Sequence, residues 1–248
     1  MGNVTITLTV LANETGEVRQ ATVTIKAREK SASVTITQEG AKETPDDKFN
    51  GHAYVDLGLP SGLLWATCNV GADKPEDYGD YFAWGETTTK STYNESTYKW
   101  CNGSTTTLTK YNTDSSYGTV DNKTVLDFSD DVARANWGGS WRMPTDDEWM
   151  ELFDNCTWTW MNQSSHNGYK VTSKSNGNSI FLPAAGFRYD TSFYYTGSDG
   201  RYWSSSLYES GPDGAWGGAW GLRFGSGYVF SEYNSRDHGQ SVRPVCRP

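Results

Sequence analysis

Apolar residues in this chain come in short runs with period two, and Gly, Ser, Thr and Asn crowd the segments between them. Residues 3–10 read Asn-Val-Thr-Ile-Thr-Leu-Thr-Val, and 21–27 (Ala-Thr-Val-Thr-Ile-Lys-Ala) and 32–38 (Ala-Ser-Val-Thr-Ile-Thr-Gln) repeat the alternation. Such β-branched alternation predicts half-buried strands, here three of them, joined by polar turns. The wider hydrophobic set reaches only 35%, yet there are 11 Trp and 15 Tyr. A core built from this chain must therefore lean on large rings, each of which removes roughly 150–250 Å² from water. Short strands and many ordered loops are expected, not a helical bundle.

Charge narrows the partners. Lys+Arg 21 against Asp+Glu 30 gives a net charge of −9. No basic cluster is present to release counterions, so nucleic acid and anionic membranes are not expected partners. No apolar run approaches the roughly 20 residues of a membrane span, and direct membrane insertion is not expected. Met1-Gly2 leads straight into a strand pattern, so any export signal is expected to lie upstream. Cys68, Cys101, Cys156 and Cys246 include no CxxC pair. They admit three disulfide pairings or free thiols, and spacing does not choose.

Three segments follow from these patterns: a small β module over 1–40 that ends on Gly40, a polar linker over 41–50 carrying Pro, and a large domain over 51–248. The run Ala12-Asn13-Glu14-Thr15-Gly16 through Val34-Thr35-Ile36-Thr37-Gln38 resembles the C-terminal half of a BACON-type immunoglobulin-like module. Half a sandwich leaves strand edges open, so docking or self-association through these strands is expected.

In the large domain, strands are predicted at 53–57, 62–68, 80–84, 169–173, 179–183, 201–205, 219–224, 227–231 and 241–246. One helix is well marked. Thr145 and Glu148 form a capping box, and Trp149, Leu152 and Phe153 fall on one face. A second short helix is expected from Ser129, including Val132 and Ala133.

Catalytic signatures are missing. His52, His166 and His238 sit in polar or loop contexts, and no nucleophile elbow, zincin motif, P-loop or dinucleotide fingerprint occurs. A non-enzymatic chain is expected. Asp121, Asp127, Asp130 and Asp131 are dense enough in oxygen ligands to suggest a calcium site. Helix N-capping accounts for Asp130 and Asp131 equally well.

The most specific signal is an ordered series of motifs. It runs Leu63-Leu64-Trp65-Ala66-Thr67-Cys68, Gly79-Asp80-Tyr81-Phe82-Ala83-Trp84-Gly85, Trp141-Arg142-Met143-Pro144-Thr145, Leu182-Pro183-Ala184-Ala185-Gly186-Phe187-Arg188, Gly200-Arg201-Tyr202-Trp203 and Ser241-Val242-Arg243-Pro244-Val245. Together these resemble the major paralogous domain family of bacterial surface proteins. That family shares a C-type-lectin-like fold with the formylglycine-generating enzymes and with variable proteins of diversity-generating retroelements. The resemblance covers about 51–248. It implies an α+β, C-type-lectin-like domain with two helices, preceded by the small all-β, partial Ig-like sandwich. It also implies display at the cell surface or secretion. Arg142, Arg188 and Arg243 read as scaffold, pairing with carboxylates or carbonyls inside a loop-rich core. The oxidase chemistry of the related enzymes needs paired late cysteines, and only Cys246 lies there.

The segment 207–238 differs in character. Tyr208, Trp216, Trp220, Tyr228 and Tyr233 stand among Gly, Ser, Asp and Asn, the mixture that antibody recognition surfaces favour. The resemblance to retroelement variable proteins implies codon scatter from Asn at Tyr208, Ser210, Asp213, Arg223, Tyr228, Tyr233, Asn234, Ser235, Asp237 and His238. With Arg236, these residues form the expected binding surface for a protein or glycan ligand. Tyr233, Arg236 and His238 are expected to be exposed, and Phe224 and Val229 to be core. Trp216 and Trp220 fit either ligand contact or a hairpin core. The alternative to an adhesin is a structural surface or pilus subunit without a ligand site.

Overall fold

The computed structural model describes residues 7, 9–10, 19–27, 30–38, 48–209 and 218–247. The chain divides into two units, Met1–Asp46 and Asp47–Pro248.

In the first unit β1 (Arg19–Ala27) and β2 (Lys30–Gln38) form an antiparallel hairpin with Val23 opposite Val34. The expected strand at 3–10 lies mostly outside the described residues. Alternation sorts the hairpin into two faces. Thr22 with Thr35 and Thr24 with Ser33 pair their hydroxyls across the strands on one. The other carries Val23, Ile25, Val34 and Ile36. Burial differs from expectation, since Ile25 and Val34 are exposed. Among the described residues no second layer covers the apolar side of this ribbon.

The second unit opens with β3 (Lys48–Phe49), β4 (His52–Asp56) and β5 (Leu64–Ala66), and the chain's final strand, β14 (Val245–Cys246), completes a four-stranded sheet in the order β14-β5-β4-β3. The expected linker is therefore shorter at its end, because Lys48 and Phe49 pair with Ala53 and His52. Between β5 and β14 come the short helix α1 (Val132–Trp137), the helix α2 (Asp146–Asn155) and two three-stranded sheets. One is β6 (Cys156–Gln163), β7 (His166–Ser173) and β8 (Ser179–Pro183); the other is β11 (Asp199–Leu207), β12 (Gly218–Gly225) and β13 (Tyr228–Ser235). A small hairpin, β9 (Phe187–Tyr189) and β10 (Ser192–Tyr194), lies between them in sequence.

This corrects the expected fold class. Only α2 exceeds six residues among the described helices, against fourteen described strands, so the chain is largely β rather than α+β with a lectin-like architecture. The reason is local. Helix-period patterning with a cap occurs only near Thr145, and elsewhere β-branched and aromatic residues alternate between Gly-rich turns. Three expected strands also contract: 62–68 is strand only over Leu64–Ala66, 80–84 keeps a single bridge from Phe82 to Gln240, and 241–246 is strand only at its last two residues.

The capping box is realised. Thr145 accepts from the Glu148 N–H, Glu148 accepts from the Thr145 N–H, and the same carboxylate takes two bonds from Arg142. Trp149 and Leu152 are buried, whereas Phe153 turns outward toward Trp158. Burial works against the Glu148 charge, but Arg142 and the Thr145 N–H outweigh it and hold the carboxyl below its ordinary 4.5.

Large rings fill the core. Trp65, Trp149, Tyr202 and Phe224 anchor one cluster, and Trp84, Tyr111, Trp141 and Trp203 anchor a second. Their polar tips serve the loops. Trp84 Nε1 donates to Ser204 O, Trp203 Nε1 to Phe82 O, Tyr81 Oη to Ala185 O and Tyr98 Oη to Trp84 O. Gly186, at φ +65°, allows a backbone approach that a Cβ would block, 2.1 Å from Tyr194 O.

Arg243 is fully buried and ties distant segments together. Its guanidinium donates to Ala66 O, Thr67 O, Phe181 O and Asn69 Oδ1. No carboxylate pairs with it among the described residues, and burial lowers its pKa.

Two outcomes test this architecture. Arg243→Met strands buried carbonyls and should cost about 3 kcal/mol or more, read as a drop in Tm with urea melts in agreement. Because the folded pKa of Glu148 is depressed, its stabilisation is present above pH 4.5 and lost as pH falls through the lowered value. Glu148→Gln should therefore lower Tm at pH 7 and flatten the decline of Tm below pH 4.5.

Candidate functional site

The sheet β11-β12-β13 has two faces of different chemistry. On the inner face Leu222 and Phe224 are buried and Val229 packs against them. Ser231 Oγ donates to Asp146 Oδ1 at the start of α2, 2.6 Å away. The same face continues beyond the helix to Trp220 and Tyr233, which are cross-strand partners. There the ring of Tyr208 lies on Tyr233 with centroids 4.1 Å apart and planes 8° apart, and Trp220 meets Tyr208 edge-on at 4.9 Å. Tyr233 remains 46% exposed, so the cluster is rigid yet reachable.

The outer face is a lattice of guanidinium and carboxylate groups. Arg201, Arg223 and Phe230 align across the three strands. Arg223 bridges Asp199 at 3.1 Å and Glu232 at 3.0 Å. Arg201 donates to Asn234 Oδ1 at 2.8 Å. Burial lowers the Arg201 pKa, with the neighbouring Arg223 charge adding to it. For Arg223 burial also opposes the charge, but Glu232 outweighs it and the pKa rises. Exposed Tyr228 and Phe230 flank Arg223, and Arg201 stacks on Phe187 at 4.4 Å.

After β13 the chain turns through residues 235–238. Ser235 Oγ donates to the Asp237 carboxylate. Arg236 points inward, donating to Tyr111 O beside the rings of Trp84 and Tyr98. His238 stacks on Phe187 at 5.3 Å and meets the Tyr189 ring edge-on at 5.1 Å. Burial lowers its pKa below 6.5, so the imidazole is neutral at pH 7. A cleft of about 610 Å³ opens here, walled also by Asn94 and Glu95 and by Tyr189 and Asp190 of the β9–β10 hairpin.

The sequence-predicted residues thus fall into three groups: Tyr208, Trp220 and Tyr233 in the aromatic cluster, Arg223, Tyr228 and Asn234 on the outer face, and Ser235, Asp237 and His238 at the turn. Ser210, Asp213 and Trp216 lie outside the described residues. Two expectations of exposure are corrected. His238 is half-buried against the Phe187 and Tyr189 rings. Arg236 is buried rather than exposed, because carbonyls and ring faces in the core accept its guanidinium. Sequence reasoning missed Glu95, Tyr189, Asp190, Phe187 and Phe230. The aromatic run Phe187-Arg188-Tyr189 through Phe193-Tyr194-Tyr195 was the available signal. Arg188 and Arg142 act as expected, on carbonyls of Lys90 and Ser91 and on Glu148.

In the acidic cluster at 121–131 each carboxylate is engaged by the protein itself. Asp121 accepts the N–H groups of Tyr111 and Asn112, Asp127 pairs with Lys110 and Lys123, and Asp130 takes Lys110 and the Tyr111 hydroxyl. Asp131 caps α1 and accepts the Met143 N–H. These carboxylates are already engaged, and no His, Cys, Asp and Glu group among the described residues is placed to hold a metal. All four cysteines are free; burial pushes the thiols of Cys156 and Cys246 up to about 11.

Comparison with known proteins finds two family models. Residues 1–39 match BACON, described as a candidate N-terminal binding domain, and residues 157–245 match a domain of unknown function, DUF8237. No curated protein and no solved structure matches the chain. The N-terminal end is thus similar to a BACON-type candidate binding domain, and the stretch similar to the domain of unknown function spans the aromatic and charged strands described above.

Proposed function

We propose that this chain is a non-enzymatic ligand-binding protein of adhesin type, displayed at a cell surface or secreted, and that its ligand is a protein or a glycan. The observation that carries the reading is the stacked Tyr208–Tyr233 pair with Trp220 edge-on, held on paired strands with Tyr233 half open to solvent. Rigid rings that lose little conformational freedom on contact are the usual anchors of recognition surfaces. The Arg201–Arg223–Glu232–Asn234 lattice beside Tyr228 and Phe230 adds polar groups fixed in place before a ligand arrives.

The BACON match supports a binding role for the chain as a whole. The ordered motif series, similar to that of the major paralogous surface proteins, supports export and display. Clustering of Tyr208, Arg223, Tyr228, Tyr233, Asn234, Ser235, Asp237 and His238 near the end of the domain fits a diversified surface of the retroelement type. A reverse transcriptase gene and a near-copy of the 3′ coding end beside this gene are the expected companions. The Cys246 thiol, fully buried and raised to about 11, speaks against the oxidase alternative, which needs an accessible thiolate. The alternating hairpin of β1 and β2, with Ile25 and Val34 exposed, supports self-association through the N-terminal strands.

The test is capture from a combined glycan and protein array. Tyr233→Ala and Tyr228→Ala should each weaken capture of the bound ligand about thirtyfold, the scale of an anchor worth about 2 kcal/mol, with Tm unchanged. Arg236→Ala should instead destabilise the fold by on the order of 3 kcal/mol, because it leaves buried carbonyls without a donor. Undiminished capture by both tyrosine variants overturns the reading.

A further inference from the structure

The sheet β11-β12-β13 is closed along one side only. Loops seal the β11 side: the Trp203 N–H donates to Ser241 O, the Leu207 N–H to Thr124 O, and Ser205 O accepts from the Leu126 N–H. On the β13 side the main-chain groups of Val229, Ser231 and Tyr233 meet no backbone partner among the described residues. We propose that a second copy of this chain pairs there, β13 against β13, in an antiparallel two-fold contact that joins two sheets into one. This goes beyond the binding reading above and does not rest on it.

The direction of those groups follows from the turn. Only Ser226 and Gly227 separate β12 from β13, and Gly225 stands opposite Tyr228. In so short a hairpin the flanking pair is bonded both ways, and bonded and non-bonded pairs alternate from there. Phe230, Glu232 and Asn234 therefore bond to β12, while the N–H and C=O groups of Val229, Ser231 and Tyr233 point away from it. Two bonds fit this phase. Gly218 and Trp220, opposite Ser235 and Tyr233, turn their carbonyls to the β11 side, where the Tyr208 N–H and Ser204 Oγ donate to them.

Open edges are normally blunted by a lysine, a proline, a bulge or a short strand. β13 runs eight residues in unbroken register with β12 and has neither lysine nor proline. Its one charge, Glu232, is held by Arg223.

The order of residues in β13 favours a second copy as the occupant. An axis at Ser231 sets this residue opposite the partner's Ser231 and Val229 opposite the partner's Tyr233, so all three free residues bond in both chains. Val229 with the partner's Tyr233 is a β-branched and aromatic pair, which stabilises antiparallel strands. On the outer face Phe230 then meets the partner's Glu232, and Tyr228 the partner's Asn234. An axis at Glu232 would set like charges face to face, and one at Phe230 would leave Tyr233 unpaired. Strand addition is lateral, so both faces of the enlarged sheet stay open. The guanidinium–carboxylate lattice is then presented twice on one surface.

The experiment follows the whole chain by sedimentation velocity from about 5 μM to about 500 μM, a span that brackets a contact of micromolar strength. A concentration-dependent dimer is expected. Amide hydrogen exchange read by NMR should show Val229, Ser231 and Tyr233 protected only at the high end, with Phe230 and Glu232 protected throughout. Phe230→Glu sets carboxylates opposite each other on both sides of the axis and should raise the dimer dissociation constant about tenfold or more. Within one chain the new carboxylate lies across from Arg223, so the fold tolerates it. Phe230→Lys faces the partner's Glu232 and should leave the constant within about threefold. A monomer at the highest concentration, a dimer whose three amides exchange freely, or equal weakening by both variants would each overturn the proposal. A dimer made through the N-terminal strands gives the second of these results. Array capture tests the binding reading separately, so either can fail without the other.

Discussion

A loop-rich interior must find donors for carbonyls that no ladder reaches, and in this molecule side chains supply them. Arg243 is the central case. One guanidinium serves Ala66, Thr67 and Phe181, three carbonyls from two distant segments, and also the amide oxygen of Asn69. Fixed fork geometry lets it serve several acceptors at once, which an ammonium on a flexible stem does poorly. The indole and phenol tips of Trp84, Trp203, Tyr81 and Tyr98 extend the same solution through the core. A chain short of aliphatic residues thereby gains both buried area and backbone pairing from the same rings.

This explains how the binding face can be stiff without long regular elements. The strands β11 and β12 pair from Asp199–Gly225 to Trp203–Gly221 and again at Leu207–Ala219, and Arg223 bridges Asp199 on one strand and Glu232 on another. The inner side of the same sheet is pinned to α2 by Ser231 and to the aromatic core by Phe224. Side chains at the far end, Tyr208, Trp220 and Tyr233, inherit that rigidity while standing clear of the helix.

Local signals were legible in the sequence, and long-range assembly was not. The capped helix at Thr145 was readable because a capping box is a four-residue pattern. The scaffold roles of Arg142, Arg188 and Arg243 were readable from their apolar, Gly- and Pro-rich surroundings. The balance of helix to strand was misjudged, because a resemblance in motif order carried an architecture that the alternating pattern does not share. Arg236 was misplaced for a different reason. Its neighbours are polar, and nothing within several positions shows that Trp84, Tyr98 and Tyr111 close around it. Of the cleft, only Ser235, Asp237 and His238 could be named in advance. Glu95 and Tyr189 reach it through turns far away in sequence.

The pairing of Val245 with Trp65 has a consequence for biogenesis. Arg243 and Asn69 are 174 positions apart, so the ties that close the sheet join nearly opposite ends of the unit. Contacts of such high order form late and slowly. While a ribosome still holds the final strand, β5 lacks its outer neighbour and the carbonyls of Ala66 and Thr67 lack their guanidinium. Translation and maturation of this unit are therefore separate events in time, and the interval between them is when the chain most needs protection from its own aromatic surface.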